Sequence, residues 1–161
     1  MVNKVYQHDE TEINWLSSGG SAAFTPTTLG SGAGRQGAHY DFGTSARARR
    51  FYWRAWLKPG GTRVVGQPIY VYFKTSNGTH PDNDDGTGDI ALSALDKVRN
   101  VRQLGVIEID ENAAVEMVAS GEIEISARYG APIFYNATAN SLSTTAGDFG
   151  FSLTPVPDEI Q

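Results

Sequence analysis

Residues 47–74 read RARRFYWRAWLKPGGTRVVGQPIYVYFK, two aromatic-rich runs flanking a Pro-Gly-Gly turn and a short linker. In an extended backbone Phe51, Trp53, Ala55 and Leu57 of the first run share one face. Arg50, Tyr52, Arg54, Trp56 and Lys58 share the other. Successive side chains of a strand point to opposite faces, so a period of two marks a half-buried strand. In the second run Ile69, Val71 and Phe73 alternate with Tyr70, Tyr72 and Lys74. Aromatic and β-branched residues suit a pleated surface. The two runs are expected to be neighbouring antiparallel strands at the centre of the core.

The same pattern recurs on both sides. AHYDFG (38–43) reads as a short strand, as do Leu104–Asp110, PIFYNA (132–137) and FGFSLTPV (149–156). SNGTHPDNDDGTGD (76–89) is nearly all turn formers and reads as a loop. IALSALDKV (90–98) suits a short helix with Asp89 as its N-cap. Residues 110–119 fit either a helix closed by Gly121 or one arm of a hairpin turning at Ser120-Gly121. Beyond that turn Ile123, Ile125, Ala127 and Tyr129 alternate with Glu122, Glu124, Ser126 and Arg128. A strand with such a solvated acidic face needs an antiparallel neighbour. The preceding segment is the nearest, so the hairpin is the preferred reading. The closing TPVPDEIQ (154–161) holds two prolines, which favour an extended tail over a paired strand.

Residues 1–38 lack sustained periodicity. Anchors such as Ile13, Trp15, Leu16, Phe24 and Leu29 sit among Gly, Ser and Thr, and GSGAGRQG (30–37) is a flexible run. Two readings stand side by side: an extended N-terminal arm or loop lying over a surface, or a short strand near Ile13–Leu16 followed by a loop. The expected organisation is one all-β domain. An antiparallel β-sandwich of seven to nine strands over 39–161 follows the arm of 1–38, in jelly-roll-like or immunoglobulin-like order.

At 161 residues the chain is long enough to bury a core without staples, and it has no cysteine to form one. No apolar run approaches membrane-spanning length, and MVNKVYQHDETEINW has no apolar signal-peptide core. Synthesis and retention in the cytoplasm, or release by lysis, are expected. The window from Arg35 to Arg63 holds seven basic residues and one acid, a net of +6 in a chain of net charge -5, so the remainder carries -11. Segregation of this kind suggests a basic face and an acidic face.

Chemistry-bearing residues are sparse. Asp82, Asp84, Asp85 and Asp89, with Asn83 and Thr87, could fold oxygen ligands around a hard cation such as calcium. With Gly88 at the turn position, however, Ala94 stands where the bidentate glutamate belongs, and a solvated surface loop is the preferred reading. His8, His39 and His80 are far apart and share no metal-ligand spacing. No nucleophile elbow, zincin motif or P-loop occurs. Glu122 and Glu124 on one strand face have a spacing compatible with a glycosidase pair, but nothing else supports it. No enzyme is expected. Arg50, Tyr52, Arg54 and Trp56 have the composition of a protein–protein interface. They also suit an Arg–aromatic ladder on a solvated sheet face. The acidic chain argues against direct nucleic-acid binding.

RFYWRAWLKP, YVYFKTSNGTHPDNDDGTGD, LDKVRNVRQLG, ASGEIEISARYGAPIFYNATANSLS and FSLTPVPDEIQ make the chain from about Arg49 onward resemble small structural proteins of tailed bacteriophage virions. The likeness spans about two-thirds of the chain and contains no catalytic or ligand motif. It implies a β-sandwich without enzymatic activity, located in the virion after synthesis in the host cytoplasm. Its partner would be the major capsid protein or another virion protein, and it would form a homo-oligomer, with a trimer among the forms considered. The resulting expectation is a capsid decoration (cement) protein. The arm, with Trp15, and the face of Arg50, Tyr52, Arg54 and Trp56 would bind the shell or a sister subunit. Two alternatives remain: a carbohydrate- or receptor-binding sandwich using Tyr52, Trp56, Tyr70 and Tyr72 as a stacking platform, and a head–tail connector or tail-tube component.

Overall fold

The alternation around residue 50 becomes a strand whose burial follows the sequence period. In a computed structural model describing residues 11–44, 48–110 and 115–156, Arg50–Leu57 is continuous strand with every second side chain buried. In chain order the strands are β1 (Ile13–Leu16), β2 (Ala22–Ala23), β3 (Gly34–Gln36), β4 (Tyr40–Asp41), β5 (Arg50–Leu57) and β6 (Pro68–Ser76). They continue as β7 (Ile90–Ala91), β8 (Arg102–Glu108), β9 (Met117–Glu124), β10 (Tyr129–Asn136) and β11 (Phe149–Val156).

Two sheets form a sandwich. One runs β2-β1-β11-β5-β9 and the other β7-β3-β10-β6-β8, with β4 paired to β10. Every pairing is antiparallel except that of β1 with β2. The runs flanking the Pro-Gly-Gly turn are therefore not neighbours. β5 lies between β11 and β9, β6 lies between β10 and β8, and the two strands sit in opposite sheets. Both runs are strands, as their period of two requires. The linker of residues 58–67 carries the chain from one layer to the other.

The core is aromatic and spans both layers. Trp15 meets Phe151 of its own sheet at 5.7 Å and Phe73 of the opposite sheet at 5.9 Å, both edge-on. Phe73 stacks on Phe151 at 5.8 Å across the sandwich. Trp53 stacks parallel to Phe151 at 6.3 Å, and Gly105 and Gly121 on the two edge strands β8 and β9 lie against its indole. A Cβ on either glycine would come within 3.0 Å of the indole, so the missing side chains make room for the ring. Burying each such side chain contributes roughly 1.5–3 kcal/mol.

Several expectations change here. Residues 11–38 are part of the sandwich and not an arm: β1 pairs with β11, and β3 lies between β7 and β10. The strand alternative at Ile13–Leu16 matches β1 residue for residue. Residues 1–10 lie outside the described residues. Ser120-Gly121 is not a turn. It lies in the middle of β9, which pairs over its whole length with β5. The acidic strand face did need a neighbour, and the neighbour is the arginine-bearing β5 rather than the preceding segment. Asp89 caps no helix; Ile90–Ala91 is strand and only Leu95–Val98 forms a 3-10 turn. Pro155 and Val156 stay in the ladder with Phe51 and Arg50, beyond the stretch of β11 that β1 covers. β1 and β11 run antiparallel, so the described chain starts and finishes at the same end of this sheet.

Candidate interaction face and the loop over Lys74

The outer face of the β5 sheet is built by alternation. With Phe51, Trp53, Ala55 and Leu57 in the core, Arg50, Tyr52 and Arg54 are exposed and Trp56 is half-buried. Trp56 rests on Gly150 of β11: a Cβ there would lie 2.0 Å from the indole. Arg54 sits 5.9 Å from the Trp56 ring centre, the distance of a cation–π contact. Tyr52 donates its hydroxyl to Ser120 Oγ at 2.9 Å while keeping 46% of its surface exposed. Val118, opposite Trp56 on β9, is 45% exposed. Trp56 and Val118 thus lie side by side among charges, with Tyr52 farther along the strand beyond Arg54.

Those charges alternate in sign. Arg50 stands opposite Glu124, Tyr52 opposite Glu122, and Arg54 reaches Glu116 at 3.4 Å. Pairing β5 with β9 interleaves what the sequence segregates. Elsewhere Arg35 pairs with Asp89, Lys58 with Asp148 and Arg128 with Asp41. The expected division into basic and acidic faces does not hold on this sheet. Glu122 and Glu124 project into the open beside Tyr52 and Arg50.

Trp15 has to be removed from this surface. It has no accessible surface and donates its indole N–H to the Ala38 carbonyl at 2.8 Å. Its position on β1, in register with Phe151, turns it inward. The four residues on β5 come together as expected. Tyr70 and Tyr72, however, lie on the outside of the other sheet. There they form a cluster with Tyr135, at 6.4 Å between Tyr70 and Tyr72 and 6.3 Å between Tyr70 and Tyr135. A single platform of Tyr52, Trp56, Tyr70 and Tyr72 is excluded, because the sandwich separates the two pairs. Burial, then the neighbouring Tyr70 and Tyr135, raise the Tyr72 hydroxyl pKa above its ordinary value.

The acidic loop folds onto that second outer face, and its centre is a lysine. Lys74 has no accessible surface. Its ammonium donates to Gln36 Oε1 at 3.0 Å, Asn83 Oδ1 at 2.7 Å and the Gly86 carbonyl at 2.8 Å. The oxygen-rich loop wraps a side-chain cation. Its carboxylates are directed to separate partners: Asp82 to Thr75, Asp84 to Lys97, Asp85 to Ser93, and Asp89 to Arg35 and Thr25. Among the described residues no group of three or more His, Asp or Glu side chains is arranged to hold a metal ion. Burial lowers the Lys74 pKa to about 8, against the opposing pull of Asp85 and Asp82. Burial, and then the Lys74 charge, lower His39 to about 4. His39 stacks on Tyr129 at 6.3 Å, and its Nε2 is buried without a partner.

The sequence offers no sign of Gln36 as a ligand of Lys74, and it offers Asn83 only as an oxygen donor for a hard cation. The available signal was Lys74 itself, a charge in an otherwise aromatic and β-branched strand, followed within ten residues by a carbonyl-rich loop. No protein-family profile matches the chain, and no curated protein is significantly similar to it.

Proposed function

We propose that this chain is a non-enzymatic structural component of a phage virion, a capsid decoration (cement) protein that binds the head surface as a homo-oligomer. The observation that carries the reading is the row Arg50, Tyr52, Arg54 and Trp56. It stands exposed or half-buried on the outer face of a sheet whose opposite face is the core. Arginine and large aromatic residues beside an aliphatic patch are what buried centres of protein interfaces use. The alternating charges around them fit docking in one register better than binding to a phosphate backbone, which needs an unbroken basic stripe.

The test is co-sedimentation of the purified chain with capsid shells lacking it. Tyr52→Ala with Trp56→Ala should weaken binding at least about 30-fold, as removal of interface anchors does, with the melting transition intact. Undiminished binding by the folded double variant would overturn the assignment of this face. Removing residues 1–10 tests a contribution from the N-terminal segment without touching β1. Light scattering on a sizing column, with calcium and with chelator, gives the oligomeric state and separates a calcium-dependent assembly from an ion-independent one.

Carbohydrate binding has its own observation, the half-buried trio Tyr70, Tyr72 and Tyr135. Tyr72→Ala abolishing glycan retention while shell binding persists would assign that second face to sugars.

A further inference from the structure

Lys74 is a fully buried charge, and the three acceptors of its ammonium are all neutral oxygens. The nearby acids are turned elsewhere. Asp82 accepts from the backbone N–H and hydroxyl of Thr75 at 2.6 and 2.8 Å, and Asp85 accepts from Ser93. An ammonium so placed releases a proton readily, in line with the lowered pKa described above.

Deprotonation changes the geometry of the cage. An amine keeps two N–H donors and gains a lone pair. Gln36 Oε1 and the Gly86 carbonyl accept the two donors, which leaves the lone pair facing Asn83. Nζ is 2.7 Å from Asn83 Oδ1, and a C=O bond is about 1.2 Å long, so Cγ lies between about 3.0 and 3.9 Å from the amine, and the carboxamide has to turn to present its carbon to the lone pair. Efficient intramolecular attack starts from separations of about 3–3.5 Å. Asn83 is buried, with 6% of its surface exposed. The backbone N–H of Asp85 points at its Oδ1 from 3.4 Å, on the side where negative charge would develop. Asn83 Nδ2 is buried with no hydrogen-bond partner among the described residues.

The geometry points to an autocatalytic isopeptide bond between Lys74 Nζ and Asn83 Cγ. The free amine adds to Cγ to give a tetrahedral centre. The Cγ–Nδ2 bond then breaks, the proton shed by Nζ passes to Nδ2, and ammonia leaves. One C–N bond forms and one breaks, with no change of oxidation state and no co-reactant. The titratable groups around the site are Asp82 and Asp85 from the loop and His39 from the segment before β4. The product would staple β6 to the loop covering it, in a chain that has no cysteine for a disulfide.

Intact-mass spectrometry of the purified full chain, before and after incubation of the folded protein at alkaline pH, tests this. The expected mass is about 17 Da below that of the sequence, the loss of one ammonia. Proteolysis of the wild type should yield a branched peptide joining Lys74 to Asn83. Lys74→Arg and Asn83→Ala should each keep full mass. A wild-type mass that stays at the sequence value after alkaline incubation would overturn the proposal. So would a loss of ammonia without the Lys74–Asn83 branched peptide, because that is a succinimide at an asparagine such as Asn77, which precedes Gly78.

Discussion

His39 and Lys74 are two bases that the fold makes weaker, and the sign of each effect can be checked. His39 titrates near 6.5 unfolded and near 4 folded, so between those values the unfolded chain binds more protons. Stability is complete above about pH 6.5 and is lost as pH falls towards 4. His39→Phe should melt at temperatures that depend less on pH across that interval than the wild type, and the wild-type-minus-variant difference in thermal scans is the readout. At Lys74 the cost of removal is in its partners. Lys74→Met leaves the acceptors on Gln36, Asn83 and Gly86 buried and unpaired, and should cost about 3 kcal/mol or more in urea denaturation. A fall below about 1 kcal/mol would mean that water replaces the ammonium. Neither residue announces its role in the sequence. Lys74 falls on the same strand face as Tyr70 and Tyr72, where a lysine ordinarily reaches solvent. Only the return of the loop over the sheet buries it.

At the scale of the strand, period two carries most of the information. β5 and β6 are legible because burial alternates along eight and nine residues; β9 is as long as β5, but its Ser120-Gly121 pair reads as a turn. Within the first 38 residues β1, β2 and β3 have four, two and three residues, too few for a period to show, and that is why this stretch reads equally well as an arm. Partner choice was the least legible feature. The acidic face of β9 was matched to its nearest neighbour in sequence, whereas the fold matches it to the arginines of β5, some seventy residues away. β9 offers a direct check. One residue inserted between Ser120 and Gly121 would be tolerated in a hairpin turn. In mid-strand it moves every later side chain to the opposite face, sending Ile123 outward and Glu122 inward. Loss of the cooperative unfolding transition is expected, and a native melting curve would restore the hairpin.

The whole molecule exposes two sheet edges on one side, β8 and β9, which lie against each other there. Unpaired edges invite association with other chains, and charged side chains are a common defence. Arg102 and Glu108 on β8 and Glu122 and Glu124 on β9 are exposed and fit that role. Replacing both Glu122 and Glu124 by valine should produce concentration-dependent growth in light scattering, while Thr154→Val, whose strand neighbour on β5 is Tyr52, should not. The interface proposed on the β5 sheet borders this guarded edge, so the same glutamates limit self-association and frame the docking row.

The antiparallel neighbours β1 and β11 begin and end the described chain at one pole of the sandwich. Tension applied between the two tails therefore pulls these strands apart sideways, across hydrogen bonds that run perpendicular to them. The bonds fail one after another, as in a zipper, and do not share the load as strands sheared along their length would. Attached to a shell by its tails, the molecule would yield at low force and peel from that pole inward; attached by its sheet face, it would bear strain through packed side chains and leave the zipper unloaded.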